Sequence, residues 1–380
     1  MKKAVTFLKK DMMLCVSLLA AVAGLIITPP GADFLRGIDW RTLGTLFMML
    51  CILEGFKKEN VLRPVENLAS NLKTVTAISL FLIFGVFFTS MFVTNDVSLI
   101  IFVPLTILLF RSGECEQYIL PVISMENIAA IRGSLLMPFG SPQNLFLYGQ
   151  AKEISFGGFL LHMSPLAGMS AVLLIAFVLI MYRKNLKETI SFSHISAPWQ
   201  KDKMPQRITY IALFILVMLV IITRTKLWWA ALIIVIAAIL IADRRIFLKV
   251  DYVLIITFLC FFIFSSSVAG NERIAEFLSK SVADREYWWA IGLSQIISNV
   301  PASIVLYPFT KNFAGLIYGA DTAGLCSLIG SLASVINYRI YVREYPGNGK
   351  KFIVTFTLIS WAFFAIVVIP GYLLTRWKFY

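Results

Sequence analysis

The chain has 380 residues, 59% of them hydrophobic and only 14% charged, with a mean hydropathy of +0.82. Soluble domains carry about 25% charged residues, and no soluble core could bury so global an apolar excess, so lipid must solvate most of this surface. The net charge of +13 points to cytoplasmic loops rather than to nucleic acid, because the basic residues collect between the apolar runs.

The first ten residues carry four lysines. An apolar run over 12–28 predicts the first helix. Ala21-Val-Ala23 resembles a signal-peptide cleavage site, but the run continues through Ile27 and is read as a retained helix. A second helix follows over 40–56. Residues 74–110 then hold a polar triplet, Thr94-Asn95-Asp96, in the middle of an apolar run. Together with Pro104 this predicts a re-entrant hairpin that enters and leaves on one side. The region 118–150 is interrupted by Pro138-Phe-Gly-Ser-Pro-Gln-Asn144, where two prolines break a helix by removing backbone donors. A helix over 163–182 closes the first repeat, 1–182.

Residues 183–205 are polar and basic and read as a cytoplasmic linker to a second repeat, 206–380. Helices are expected over 208–223, 227–242 and 250–269, followed by a mixed-charge loop at 270–286. A second hairpin is expected at 287–310 and a second broken helix at 314–342, interrupted around Ile329-Gly-Ser-Leu332. The last helix covers 352–375. The fold class is an all-α polytopic membrane protein with about nine crossing helices and two hairpins.

The two hairpin regions are copies. Shifted by 204 positions, Ser90, Asn95, Ile100, Pro104 and Thr106 fall on Ser294, Asn299, Ile304, Pro308 and Thr310. Ile38-Asp39-Trp40 resembles Val250-Asp251-Tyr252, Lys58-Glu59-Asn60-Val61 resembles Asn271-Glu272-Arg273-Ile274, and Gly140-Ser141 recurs as Gly330-Ser331. With the N-terminus cytoplasmic and the C-terminus external, Lys and Arg divide about two to one in favour of the cytoplasmic side. The copies then have opposite orientation. Inverted repeats place substrate and ion sites near the midplane, at interrupted helices.

Re-entrant turns and broken helices expose backbone that lipid cannot satisfy, so they must face protein or a watery cavity. Their internal helix N-termini present free N–H groups and a positive dipole end. Thr94, Asn95, Ser298 and Asn299 are the expected side-chain ligands, although such residues also cap internal helix ends. Gly140, Ser141, Pro142 and Asn144 at the first break, Pro301 on the second hairpin, and Gly330 and Ser331 at the second break complete the candidate set. Asp96 breaks the symmetry, because its counterpart is Val300. A carboxylate inside the membrane is a functional candidate by default: it can bind Na⁺, carry a proton or pair with a buried cation. Arg132 is that cation, and it either meets an anionic substrate or neutralises Asp96 or Glu126. Asn127 joins Glu126 as a candidate for the cavity or the cytoplasmic interface, and Glu54 reads as interfacial. His162 is expected at an interface and His194 in solvent.

Five scattered cysteines without a CxxC pair and two histidines remote from them form no metal-ligand cluster. No nucleophile–base arrangement, phosphate-binding Gly loop or nucleotide-binding domain is visible. The chain is therefore not expected to be an enzyme, a cofactor protein or an ATP-driven pump by itself.

The segments 94–104, 138–144, 294–301 and 330–333 resemble the signature segments of the ion transporter superfamily. That group holds citrate/dicarboxylate, arsenite and some Na⁺/H⁺ transporters, and the chain resembles most its bacterial citrate-transporter-like permeases. The resemblance implies a scaffold domain, a mobile transport domain with an elevator-type movement, and often a homodimer. It also implies Na⁺ and carboxylate binding at Ser-Asn-Thr motifs on both hairpins, which fall here on Thr94-Asn95-Asp96 and Ser298-Asn299-Val300. Both copies depart at the third position, and Arg132 stands where a small or amide residue is expected. Related chains usually carry further N-terminal helices, which makes this a short version. The expected function is secondary transport of a small anion (a di- or tricarboxylate or an inorganic oxyanion) in the inner membrane, coupled to Na⁺ or H⁺. The rival is a Na⁺/H⁺ antiporter that uses Asp96.

Overall fold

The computed structural model describes residues 12–28, 38–59, 72–186, 188–190 and 204–377. The basic N-terminal residues, Asn60 and Val61 of one repeat match, and most of the linker with His194 lie outside them. Sixteen α-helices run through the described residues, and no strand does; a lone bridge joins Thr74 to Thr189. In chain order they are α1 (Met12–Ile27), α2 (Trp40–Lys58), α3 (Val75–Val93), α4 (Asn95–Ser112), α5 (Ile119–Ser134), α6 (Pro142–Gln150), α7 (Phe156–Met181), α8 (Met204–Thr223), α9 (Trp228–Asp243), α10 (Tyr252–Ala269), α11 (Glu272–Val282), α12 (Glu286–Ile297), α13 (Asn299–Leu306), α14 (Phe313–Ala323), α15 (Leu332–Glu344) and α16 (Gly349–Leu374). Six of them (α3, α4, α7, α8, α10 and α16) are long and apolar enough to cross a membrane. Their outward faces carry bare apolar side chains such as Val172, Ile215 and Leu358, as lipid contact requires.

Two bodies can be traced in the packing, joined where α10 packs on α13. In one, α1 lies along α10, and α2 packs on α8, α9 and α10. The other holds both hairpins, both broken helices, α7 and α16. Its symmetry is plain: α3 lies along α5 as α12 lies along α14. The second arms are crossed, with α4 of the first hairpin on α15 and α13 of the second hairpin on α6. Each half therefore completes the packing of the other.

Both hairpins return to the end they left. Val75 at the start of α3 donates its N–H to the Glu188 carbonyl, and Tyr118, just past α4, donates its hydroxyl to the Glu188 carboxylate at 2.8 Å. At the second hairpin, Glu286 opens α12 and accepts the N–H groups of Lys311 and Asn312, past α13, both at 3.0 Å. The arms differ in length: 19 and 18 residues in the first, 12 and 8 in the second. Segments that the charge count groups together also touch. Arg111 meets Glu344, and Lys58 meets Asp243, at one end. Arg224 donates to the carbonyls of Lys152 and Ile154 at the other.

Three expectations change. The stretch 270–286 is not a loop: Asn271 caps α11 by accepting from Ile274 N–H, and its apolar residues recur at helical spacing. The helix expected from 163 begins at Phe156, capped by Ser155, so His162 sits a turn and a half inside it. His162 is buried, its ring between the Tyr318 hydroxyl and the Trp377 carbonyl just past the end of α16. The second break spans the whole stretch between α14 and α15, several residues earlier than its Gly-Ser pair indicates.

Candidate functional site

The two hairpin tips share one backbone geometry. Thr94 has φ 73° and ψ 154°; Ser298 has φ 70° and ψ 159°. This region is almost reserved for glycine, so the packing around each tip must hold a β-branched or hydroxylated residue there. Directly after each strained residue the Asn N–H turns toward the neighbouring break. Asn95 N–H donates to the Gly140 carbonyl and Asn299 N–H to the Gly330 carbonyl, both at 3.2 Å. Each tip thus joins two helix N-termini, α4 beside α6 and α13 beside α15. A serine closes the first turn of each arm, one position later in the second: Ser98 hydroxyl donates to Thr94 O, and Ser303 hydroxyl to Asn299 O.

Glycine is required at both breaks. A Cβ on Gly140 would lie 2.8 Å from Ser134 Cα and 2.9 Å from Ser134 C; one on Gly330 would lie 3.1 Å from Ala323 C. In each half the break has folded back on the end of its own first helix. Ser141 caps α6 through Asn144 N–H, with Pro142 at the first helical position, where its missing donor costs nothing. Asn144 reaches back to the Ser134 carbonyl at 3.2 Å. Gln295 ties the second tip to its break, donating to Ala323 O and accepting from Ser327 hydroxyl at 2.7 Å. Val300 and Pro301 continue α13 as buried apolar residues, and Ser331 precedes α15 without a side-chain cap bond.

The tip asparagines are buried, while Thr94 and Asp96 are half-buried. Asn95 and Asn299 are 4% and 2% exposed, and Ser141 and Ser331 are each 1% exposed. Several oxygens there have no hydrogen-bond partner: Asp96 Oδ1, Asn144 Oδ1 and Ser298 Oγ. Unpartnered buried oxygens are the donor chemistry that a hard monovalent cation takes. A cavity of about 480 Å³ lies between the two bodies, lined by Asp39 and Trp40 of the α2 end, Phe146 and Gln150 of α6, Ser265 of α10 and Tyr307. Its lining includes none of the candidate ligands Thr94, Asn95, Asp96, Ser298 or Asn299.

Arg132 joins neither Asp96 nor Glu126. Fully buried, it forms an ion pair with Asp321 of α14 and donates to Thr322 Oγ1 at 3.3 Å. Asp321 was missed in the sequence, because its equivalence with Arg132 shows only in the packing. Gly140 packs on Ser134 and Gly330 on Ala323, so Arg132 and Asp321 each stand two residues before the equivalent contact. The pair therefore sits at matching positions of the two halves and joins them. Glu126 is also fully buried, touched by Thr106, while Asn127 donates to Ser334 Oγ across the halves at 3.0 Å. Glu54 pairs with Lys57 one turn on, near the end of α2.

Comparison with known proteins follows this geometry. A family described as "Citrate transporter" matches residues 4–315. The inner membrane protein YbiR of Escherichia coli is 30% identical over 341 residues, covering 89% of this chain and 88% of that one. An uncharacterised transporter of Methanocaldococcus jannaschii is 29% identical over 346 residues, covering 90% and 91%. The crystal structure of the YdaH transporter of Alcanivorax borkumensis, described as having an unusual topology, superimposes with a TM-score of 0.57 at 13% identity. It covers 91% of this chain and 87% of that one, a likeness of fold. With its apolar helices, paired hairpins and crossed halves, the chain is a multi-pass membrane transporter that belongs to the citrate transporter family.

Proposed function

We propose that the protein is a secondary active transporter of a small anion, a di- or tricarboxylate or an inorganic oxyanion, coupled to Na⁺ or H⁺. The observation that carries this reading is the matched pair of tips, Thr94-Asn95 against Gly140 and Ser298-Asn299 against Gly330. Four helix N-termini, two at each tip, offer partial positive charge to an anion, while the unpartnered oxygens of Asn144 and Ser298 suit a small cation beside it. The division into two bodies with a cavity between them supports an elevator movement of the hairpin-bearing body against the other.

The test is uptake of labelled citrate, succinate and arsenite into proteoliposomes under imposed Na⁺ or pH gradients. Gradient-dependent uptake of one of them is expected, and Asn95→Ala and Asn299→Ala should each abolish it while the protein still elutes as a single folded species. Wild-type uptake in both variants would remove the paired site. A second reading, Na⁺/H⁺ antiport, rests on Asp96, whose Oδ1 is buried and unpartnered beside the first tip. Na⁺-driven proton movement with no anion present would favour it.

A further inference from the structure

A second polar cluster lies where α4, α5 and α15 meet, from mid-α4 to the first turn of α15. Glu126 of α5 is fully buried and accepts from the Thr106 hydroxyl of α4 through Oε1; its Oε2 has no partner. Asn127, the next residue, spends an amide N–H on Ser334 of α15, and Asn337, one turn along α15, donates to the Ile123 carbonyl at 2.7 Å. Both amide oxygens, Asn127 Oδ1 and Asn337 Oδ1, are unpartnered, and both side chains are fully buried. Ser334 turns its own hydroxyl to the Gly324 carbonyl. The cluster thus holds three unmatched acceptors, and each hydroxyl around it already has an acceptor. Among the described residues no basic side chain lies within ion-pair distance of Glu126.

The three helices put this cluster at one depth. Thr106 is six residues from the end of α4, Glu126 seven from the start of α5 and Asn337 seven from the end of α15. At 1.5 Å per residue each is about 10 Å from the surface where Arg111 meets Glu344. Asn95, at the tip, is eleven residues from Thr106, about 17 Å further in. The cluster therefore lies between the first tip and that surface. It has no copy in the second half, where Gly315 and Leu316 take the matching positions, counted from the Arg132–Asp321 equivalence. A bare carboxylate here would be an uncompensated charge in the membrane interior. One added hydrogen on Oε2 neutralises it and gives the unpartnered oxygen a hydrogen to donate.

We propose that Glu126 is a proton-binding site of its own, set between the first hairpin tip and the nearby membrane surface, that holds and exchanges the H⁺ of a proton-coupled cycle. The coupling role rests on the transport reading above; the bound proton does not. Infrared difference spectroscopy of the full-length protein, reconstituted without any anion, reads the proton directly. Wild type minus Glu126→Gln should show a protonated-carboxyl C=O band at neutral pH, retained in Asn95→Ala. Thr106→Val, which removes the hydroxyl on Oε1, should shift that band and covers the case in which Glu126→Gln does not fold. A band that is absent through the neutral range, or unmoved by Thr106→Val, overturns the proposal. So does its loss on adding NaCl alone, which would make Na⁺ the occupant. Uptake failing while the band persists would sink the transport reading and leave the proton site standing.

Discussion

The ion pair between Arg132 and Asp321 gives the sharpest energetic prediction. Both side chains are buried, at 0% and 1% exposure, and they come from opposite halves of the chain. Truncating one partner of such a pair leaves an uncompensated charge and costs about 3–5 kcal/mol, whereas replacing both with apolar groups of similar volume is often neutral. Arg132→Met should therefore destabilise the protein by several kcal/mol, since Asp321 loses its guanidinium and Thr322 loses its donor. Asp321→Leu should do the same by stranding Arg132. The double variant should recover most of the loss, so the coupling energy in a double-mutant cycle should approach the sum of the two single losses, about 6–10 kcal/mol. Mild-detergent unfolding followed by tryptophan fluorescence measures all four proteins. Additive losses in the double variant would refute the idea that the two charges act as a unit joining the halves. Labelled-anion uptake adds a second readout: a structural pair predicts that the refolded double variant retains substrate affinity, while a steep rise in the substrate requirement would make Arg132 a ligand.

Two more outcomes follow from the tips. Gly140→Ala and Gly330→Ala drive a Cβ into the backbone of Ser134 and Ala323, so each should cost about 1–3 kcal/mol and displace the carbonyl that the tip Asn holds; thermal unfolding and uptake should fall together. Asp96→Asn keeps the shape of the first tip and removes its charge. It should change the ion or pH dependence of transport without unfolding the protein, and an unchanged ion requirement would take Asp96 out of the coupling.

The hairpins and breaks were legible because each needs a polar or proline-rich interruption in an apolar run, and duplication made the interruptions visible twice. What was hidden involved partners far apart in sequence. Arg132 invited pairing with Asp96 because both lie in the first half, but its true partner stands in the other half, and only the crossed packing of α4 on α15 and α13 on α6 brings such residues together. The burial of His162 has the same origin, since Tyr318 and Trp377 reach it from α14 and the end of the chain. The helix α11 was lost to a different signal. Its charges read as a loop, yet Asn271, an N-cap, precedes a stripe of apolar residues at three- and four-residue spacing. The strain at Thr94 and Ser298 carries no sequence mark, because neither residue type is expected at positive φ.

The crossed halves also set a schedule for the protein's birth. Arg132 precedes Asp321 by 189 residues. At about 5–20 residues per second the ribosome takes roughly 10–40 s to supply the second charge after the first. Through that interval α5 carries a guanidinium with no counter-charge, and α4 and α6 have no α15 or α13 to cover them. The first half must then wait at the translocon or the membrane interface rather than settle in lipid. Nascent chains stalled before residue 321 should be open to proteases at the first hairpin, and those released after α15 should be closed.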